Sequence, residues 1–294
     1  MWAAGKFNAI AAEPRMHGPI YQDRIERNYQ LAVDDGEIAS VWRKLSQYLS
    51  KLGLEPIHAI TCVGSVYFEN RDFDLTRYAL LNGGHHILVR LRTYENYGEI
   101  PTSISDYWVE VKIREKDRWR KKRFRIQRPD LADFLNGQDV VERVMGYNQD
   151  CAPEVIHDLY RETQETLLTT GIQPVLLQTY RRVSFQNDTY RVCLDSNIQS
   201  YHVNADVFAQ DSWKYLAHKP AGKSKKTILE FKYPQSAFPI WLKDLEARFP
   251  IWRTNFSKYV EGMGFLFAGP LRDHRESIFF RPRIGVYIAN SERL

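Results

Sequence analysis

The chain has 294 residues, 44% hydrophobic and 26% charged, which excludes a disordered or fibrous polymer and leaves room for one large domain or two modest ones. Its formal net charge of +5 is too mild, as a total, to select any partner. Cys62, Cys151 and Cys193 stand far apart with no second Cys or His at metal-ligand spacing, so neither a disulfide framework nor a zinc site is expected, and a reducing compartment is. Seventeen Tyr and seven Trp suit a β-rich core. Residues 1–20 read as a loose arm without the continuous apolar stretch of a signal peptide. The apolar run at Gly264–Ala268 is far too short to span a bilayer. A cytoplasmic protein is the expectation.

In chain order, the first strand expected is Arg24–Leu31. Asp34-Asp35 then offers a cap for a helix whose apolar positions Ile38, Val41, Trp42, Leu45, Tyr48, Leu49 and Leu52 recur at helical spacing, closed by Gly53. From Ile60 the texture turns to strands: Thr61–Glu69, His86–Tyr94, Tyr107–Arg114, Trp119–Ile126, Pro174–Phe185, Tyr190–Asp195 and Thr227–Tyr233. Helical segments interrupt them near Asp72–Leu81, Pro129–Leu135, Pro153–Thr170, Phe238–Arg248 and Phe256–Phe265. Seven or eight strands with inserted helices point to an α+β protein built on a closed or nearly closed antiparallel β-barrel with peripheral helices. No linker divides it, so a single domain over residues 21–264 is expected. Residues 265–294 form an extension of unassigned role, with Ile284–Ile288 as a further strand.

Residues two apart share one face of a strand. By that rule Arg24, Glu26 and Asn28 fall together. So do Arg90 and Arg92; Glu110, Lys112 and Arg114; Lys121, Arg123 and Arg125; Tyr180 and Arg182; Arg191, Cys193 and Asp195; and Glu230 and Lys232. The opposite faces are apolar at Val89, Leu91, Val109, Val111 and Phe231. A single strand of this kind reads as an ordinary solvated face. Repetition over seven strands favours a sheet closed with its cations inward. Two such cations 5 Å apart repel by about 3 kcal/mol at an effective dielectric near 20, so the lumen calls for a polyanion or counter-ions. Arg forks and Lys point charges suit phosphate chains.

The order of motifs resembles the VTC domain, the polyphosphate-polymerase module of the vacuolar transporter chaperone within the triphosphate tunnel metalloenzymes. The matching stretches are Arg24-x-Glu26-x-Asn28-Tyr29, Ser65 to Asn70, Arg90-Leu91-Arg92-x-Tyr94, Val109-Glu110-Val111-Lys112, Lys121-x-Arg123-Phe124 and Tyr180-Arg181-Arg182-x-x-Phe185. Arg191 through Leu194-Asp195, Leu229-Glu230-x-Lys232 and Phe256-Ser257-Lys258-Tyr259 complete the set. Each is weak alone; the ordered series is specific.

The resemblance implies that Arg90, Arg92, Lys112, Lys121 and Arg182 match basic tunnel positions and that Lys258, after Ser257, matches an essential lysine. It implies that Glu230 holds a divalent metal, Mn²⁺ or Mg²⁺. Arg24, Arg123, Arg125, Tyr180, Arg191 and Lys232 are supporting substrate contacts. Glu26 and Glu110 face inward too and either assist the metal or pair with a neighbouring cation, pairing being favoured. Two family lysines are replaced, by Asn28 and Asn255. The activity implied is transfer of the terminal phosphoryl group of ATP to a growing polyphosphate. The rivals are a triphosphatase and a polyphosphate-binding or sensing module without turnover. Eukaryotic relatives carry membrane segments, so coupling to export here calls for a separate membrane protein.

Other signals are set aside. Lys112–Arg128 contains ten Lys or Arg, but the tunnel uses the same residues and no nucleic-acid partner is expected. His85-His86 reads as a Gly-flanked turn. His157, His202 and His218 have no partner at ligand spacing, and Gly83-Gly84 is no phosphate loop. Lys219–Lys226 reads as a mobile basic loop.

Overall fold

The structure, a computed structural model, describes residues 21–33, 36–82, 85–96, 106–208 and 219–273. Its strands are β1 (Tyr21–Leu31), β2 (Glu55–Glu69), β3 (His85–Asn96), β4 (Asp106–Glu115), β5 (Arg118–Gln127), β6 (Gln173–Gln186), β7 (Arg191–His202), β8 (Gly222–Lys223), β9 (Thr227–Tyr233) and β10 (Ile251–Thr254). The helices are α1 (Ile38–Lys51), α2 (Asp74–Leu81), α3 (Arg128–Leu135), α4 (Val141–Tyr147), α5 (Pro153–Thr170), α6 (Trp241–Arg248) and α7 (Lys258–Asp273).

Antiparallel pairing runs β1-β5-β4-β3-β2-β6-β7, and β9 closes the circuit by pairing with both β7 and β1. The result is an α+β protein with a closed eight-strand barrel and peripheral helices. β1 is shared along its length: Tyr21–Ile25 face β5, while Asn28–Leu31 face β10 on that same edge. Closure leaves no barrel edge to aggregate.

The apolar core lies outside the barrel. Phe124 of β5 packs against Phe134 of α3 and Tyr160 of α5, with ring centroids 5.6 and 6.0 Å away. Val89, Leu91, Val109 and Val111 join the same buried layer. A second layer sets Tyr29, Leu194 and Phe231 under Leu45 and Leu49 of α1 and Leu245 of α6. With both helical layers on the outer face, alternation sends the polar residues of each strand inward.

Several segments depart from expectation. β7 continues past Asp195 to His202, because the left-handed residue Asn197 (φ 52°) and a register shift between Thr179 and Arg181 break the alternation there. His85-His86 opens β3 and is not a turn. The basic stretch Lys219–Lys226 contains β8, held against β7, and is not a free loop. At Gly222 a Cβ would sit 2.2 Å from the ring of Phe265, so only glycine lets β8 pass beneath α7. The helix Val141–Tyr147 and strand β10 were too short to stand out. The expected cap Asp34-Asp35, the arm 1–20, Gly83-Gly84, His218 and the strand Ile284–Ile288 lie outside the described residues, and α1 begins at Ile38 after Glu37.

Candidate functional site: a cationic lumen

Register places the inward residues in rows. Arg123, Glu110, Arg90 and Tyr67 lie opposite one another across β5, β4, β3 and β2. The neighbouring row runs Trp108, Arg92, Ser65 and Gln178 across β4, β3, β2 and β6. At the closure, Asn28 faces Glu230 and Glu26 faces Lys232. These rows enclose a cavity of about 150 Å³. Ten cations line it: Arg24, Arg90, Arg92, Lys112, Lys121, Arg123, Arg182, Arg191, Lys232 and Lys258. Glu26, Glu230, Asn28, Tyr180 and Ser257 line it with them.

Four buried carboxylates hold these cations apart. Glu110 accepts from Arg90 Nε at 2.8 Å and pairs with Lys121 at 3.2 Å. Glu26 accepts from Lys112 at 2.7 Å and Arg24 at 2.9 Å. Asp195 takes both Nε and Nη2 of Arg182 at 2.6 Å and Lys258 Nζ at 2.7 Å. Glu230 pairs with Lys232 and lies 3.7 Å from Arg182 Nη2. Four carboxylates thus serve ten basic side chains, fewer than one for every two. Burial would raise the Glu26 and Asp195 carboxyls, but the neighbouring cations override it and hold both at about 2. The Lys112 ammonium goes the other way: burial lowers it to about 7 despite Glu26. Burial likewise drives Lys121 well below its ordinary value. Each lysine has a carboxylate partner, Glu26 for Lys112 and Glu110 for Lys121, but burial outweighs that pairing.

Lys258 is positioned by α7. Ser257 precedes it, its Oγ 3.4 Å from the Val260 amide and its carbonyl accepting from Glu261 N–H. Gln178 donates to the Lys258 carbonyl at 2.7 Å, and at Gly262 a Cβ would lie 2.6 Å from the Gln178 amide, so the helix rests directly on β6. Tyr259 donates to Glu69, which also accepts from the amides of Leu75 and Thr76 and so ties the start of α7 to the start of α2. A lysine in a first helical turn opposes the helix dipole. Here the Lys258 ammonium lines the cavity and Asp195 holds it at 2.7 Å, which offsets that cost.

Of the residues expected from sequence, Arg24, Glu26, Arg90, Arg92, Lys112, Lys121, Arg123, Tyr180, Arg182, Arg191, Glu230, Lys232, Ser257 and Lys258 are brought together here. Arg125 is not. Arg125 sits near Trp108 and reaches Asp150 at 3.8 Å, outside the cavity lining. Arg114 turns back to the Lys116 carbonyl. The basic run of β5 is divided between the two faces: Lys121 and Arg123 point inward, whereas Lys122 pairs outside with Glu162 and Arg118 with Asp23. Asp195 as the partner of Arg182 and Lys258 was missed, as were Tyr67, Tyr94, Trp119, Gln178 and Tyr259. Parity put Asp195 on the correct face but could not say which cation stood opposite.

Among the described residues no three His, Cys, Asp or Glu side chains form a metal-binding cluster. A small divalent cation bound with substrate phosphates needs only one or two protein carboxylates. Glu230 and Glu26 offer these on β9 and β1, and buried Asn28 Oδ1 beside them has no hydrogen-bond partner. That oxygen set fits Mg²⁺ or Mn²⁺. Because Asn28 lines the cavity opposite Glu230, Asn28→Lys is expected to tighten triphosphate in metal-free buffer, with a steeper salt dependence than the parent. An unchanged dissociation constant at low salt in a direct titration would count against this position touching phosphate.

The fold and lumen together define a tunnel-type antiparallel barrel with a strongly cationic interior. The chain belongs to the VTC domain family, whose profile matches residues 24–267. It is 25% identical over 235 residues to vacuolar transporter chaperone complex subunit 4 of Schizosaccharomyces pombe, covering 70% of this chain and 32% of that protein. Subunit 2 from the same yeast is 24% identical over 241 residues, covering 73% and 32%. The chain thus spans about a third of the length of these relatives. Among solved structures, a putative adenylate cyclase from Bacillus halodurans aligns over 81% of this chain and 95% of its own, with 13% identity and a TM-score of 0.45. The mimivirus capping enzyme triphosphatase aligns over 84% and 94%, with 11% identity and a TM-score of 0.30. No helix among the described residues is long and apolar enough to cross a membrane.

Proposed function

We propose that this protein is a metal-dependent polyphosphate polymerase that transfers the terminal phosphoryl group of ATP to a growing polyphosphate chain. The observation that carries the reading is the convergence of ten cations on one small closed lumen whose carboxylates offset only four of them. Phosphoryl transfer needs positioning and charge neutralisation more than a protein nucleophile. Arg90, Arg92, Lys112 and Arg182 hold the triphosphate, and Lys258 stabilises charge on the transferring group. A terminal oxygen of the acceptor chain attacks the γ-phosphorus in line, the bond to the bridging oxygen breaks, and ADP leaves. Glu230, with Glu26 and Asn28, would hold a divalent cation, which when bound would add charge neutralisation to that of the lysines and arginines. If water attacks instead, the same groups make a triphosphatase.

One observation favours a binding module without turnover. The family resemblance implies lysines where this chain has Asn28 and Asn255, and of the two Asn28 lines the cavity, which then has one cation fewer. Incubation with ATP and Mn²⁺ separates the readings, since long chains, free phosphate, or binding without product each identify one. Glu230→Gln is expected to abolish metal-stimulated turnover while retaining most triphosphate binding. Full activity of that variant in Mn²⁺ would show that the metal is held elsewhere. The named relatives are subunits of a complex, so a separate membrane protein is the proposed partner of this chain, which is proposed to act in the cytoplasm.

A further inference from the structure

The motif at residues 65–70 contains a carboxylate that the proposed chemistry leaves unused. Glu69 is 1% exposed and lies outside the cavity lining. Unlike the four carboxylates that serve the lumen, it is held by neutral donors. Its Oε1 accepts from the amides of Asn70 at 3.0 Å and Leu75 at 3.1 Å. Its Oε2 accepts from the Thr76 amide and hydroxyl, each at 2.8 Å, and from the Tyr259 hydroxyl at 2.5 Å. The bonds to Leu75 and Thr76, with Asn70 Oδ1 accepting from Asp74, satisfy N–H groups that the first turn of α2 cannot pair within the helix. Phe73, immediately before α2, sits in the left-handed region at φ 57°, a strained conformation for an aromatic residue. Its ring packs 5.0 Å from Phe267 of α7. Strand β2, α2 and α7 therefore meet at one buried carboxylate, bonded to the residue that follows Lys258.

From this joint we infer that Glu69 is a positioning residue for phosphoryl transfer, which through Tyr259 fixes where α7 delivers the Lys258 ammonium. The inference rests on the proposed role of Lys258 in that transfer. Two anchors hold the first turn of α7: Gln178 of β6 donates to the Lys258 carbonyl, and the Tyr259 hydroxyl reaches Glu69 at the end of β2. With the second anchor gone, the helix start is free to turn about the first, and the ammonium loses its fixed place in the lumen. A misplacement of about 1 Å can cost about 10²-fold in rate. The ring of Tyr259 has a separate task. It packs 5.3 Å from Tyr67, whose hydroxyl lies 3.3 Å from Arg90 Nη1. A change that removes the hydroxyl and keeps the ring leaves this support of Arg90 in place, and phosphate binding with it.

Tyr259→Phe makes that change. The test measures single-turnover rates with ATP and Mn²⁺ and an equilibrium titration of triphosphate on the full chain. Glu69→Gln is measured alongside, and each variant is also made in a Lys258→Ala background, so that the coupling to Lys258 is read directly. Should Glu69→Gln not fold, Tyr259→Phe decides alone, since it leaves Glu69 its bonds to Asn70, Leu75 and Thr76. The expected result for Tyr259→Phe is a loss of turnover of about 10- to 10²-fold, with triphosphate affinity retained and no further loss once Lys258 is absent. Equal losses of affinity and turnover would show that the Tyr259 hydroxyl touches phosphate itself. The same loss with and without Lys258 would show a general weakening of the fold, and unchanged turnover would show no role. Each of these overturns the inference while leaving the transfer reading intact. A parent protein that turns ATP over neither to chains nor to free phosphate overturns both.

Discussion

Asp195→Ala is expected to destabilise the ligand-free protein by about 3–5 kcal/mol, the cost typical of leaving buried charges without their partner. Asp195 is fully buried and accepts three charge-assisted bonds, two from Arg182 and one from Lys258, both of which face the cavity. Removing it leaves two cations without a counter-ion in a lumen already in excess of positive charge. The melting temperature should fall by roughly 6–10 °C for a chain of this size. Triphosphate should recover most of that loss, because it supplies the missing negative charge, and its dissociation constant should drop below that of the parent. The structure also predicts loss of stability at low pH. The Asp195 and Glu26 carboxyls sit at about 2 in the folded protein, below their ordinary 3.8 and 4.5. The stability they provide is present above the unfolded values and is lost as pH falls toward 2. A melting temperature unchanged in Asp195→Ala would mean that this carboxylate is not the internal counter-ion.

Lys258→Ala should have the largest effect on turnover. The ammonium sits at the N-terminus of α7, where Asp195 and Glu230 raise its proton affinity against the effect of burial and keep it charged. Removing a fixed donor to a developing charge typically costs about 10²–10³ in kcat. Since Arg90, Arg92 and Arg182, the other proposed phosphate ligands, stay in place, triphosphate affinity should weaken by much less than turnover. Single-turnover rates with ATP and an equilibrium titration separate the two quantities. Equal losses in both would make Lys258 a binding residue only.

How much of this was legible before the fold was known depends on what each feature requires. The inward placement of Arg90, Arg92, Lys121, Arg123 and Arg182 needs only side-chain alternation along a strand, which holds wherever pairing is regular. Ion-pair partners need register. Glu110 meets Arg90 because β3 and β4 pair as they do, and Asp195 meets Arg182 across β6 and β7. Neither follows from the composition of one strand. Position along the barrel was equally hidden: Arg125 obeys parity yet lies beyond the cavity lining, beside Trp108 and Asp150. The apolar cluster of Val63, Tyr180, Ile198, Ile228 and Phe256 was the least legible, because all but Phe256 are ordinary strand residues and Ile198 follows the left-handed Asn197, where alternation breaks.

The lumen as a phosphate site is tested most directly by melting temperatures across a series of phosphates. A ligand that binds only the folded protein stabilises it by about 2.7 kcal/mol at one hundred times its dissociation constant. For a chain of this length that corresponds to a rise of roughly 5 °C. Triphosphate and longer chains should produce this rise at far lower concentration than orthophosphate, because a single phosphate reaches few of the ten cations, and Arg92→Ala should blunt it. A melting temperature that stays flat from orthophosphate through triphosphate to polyphosphate would contradict the account.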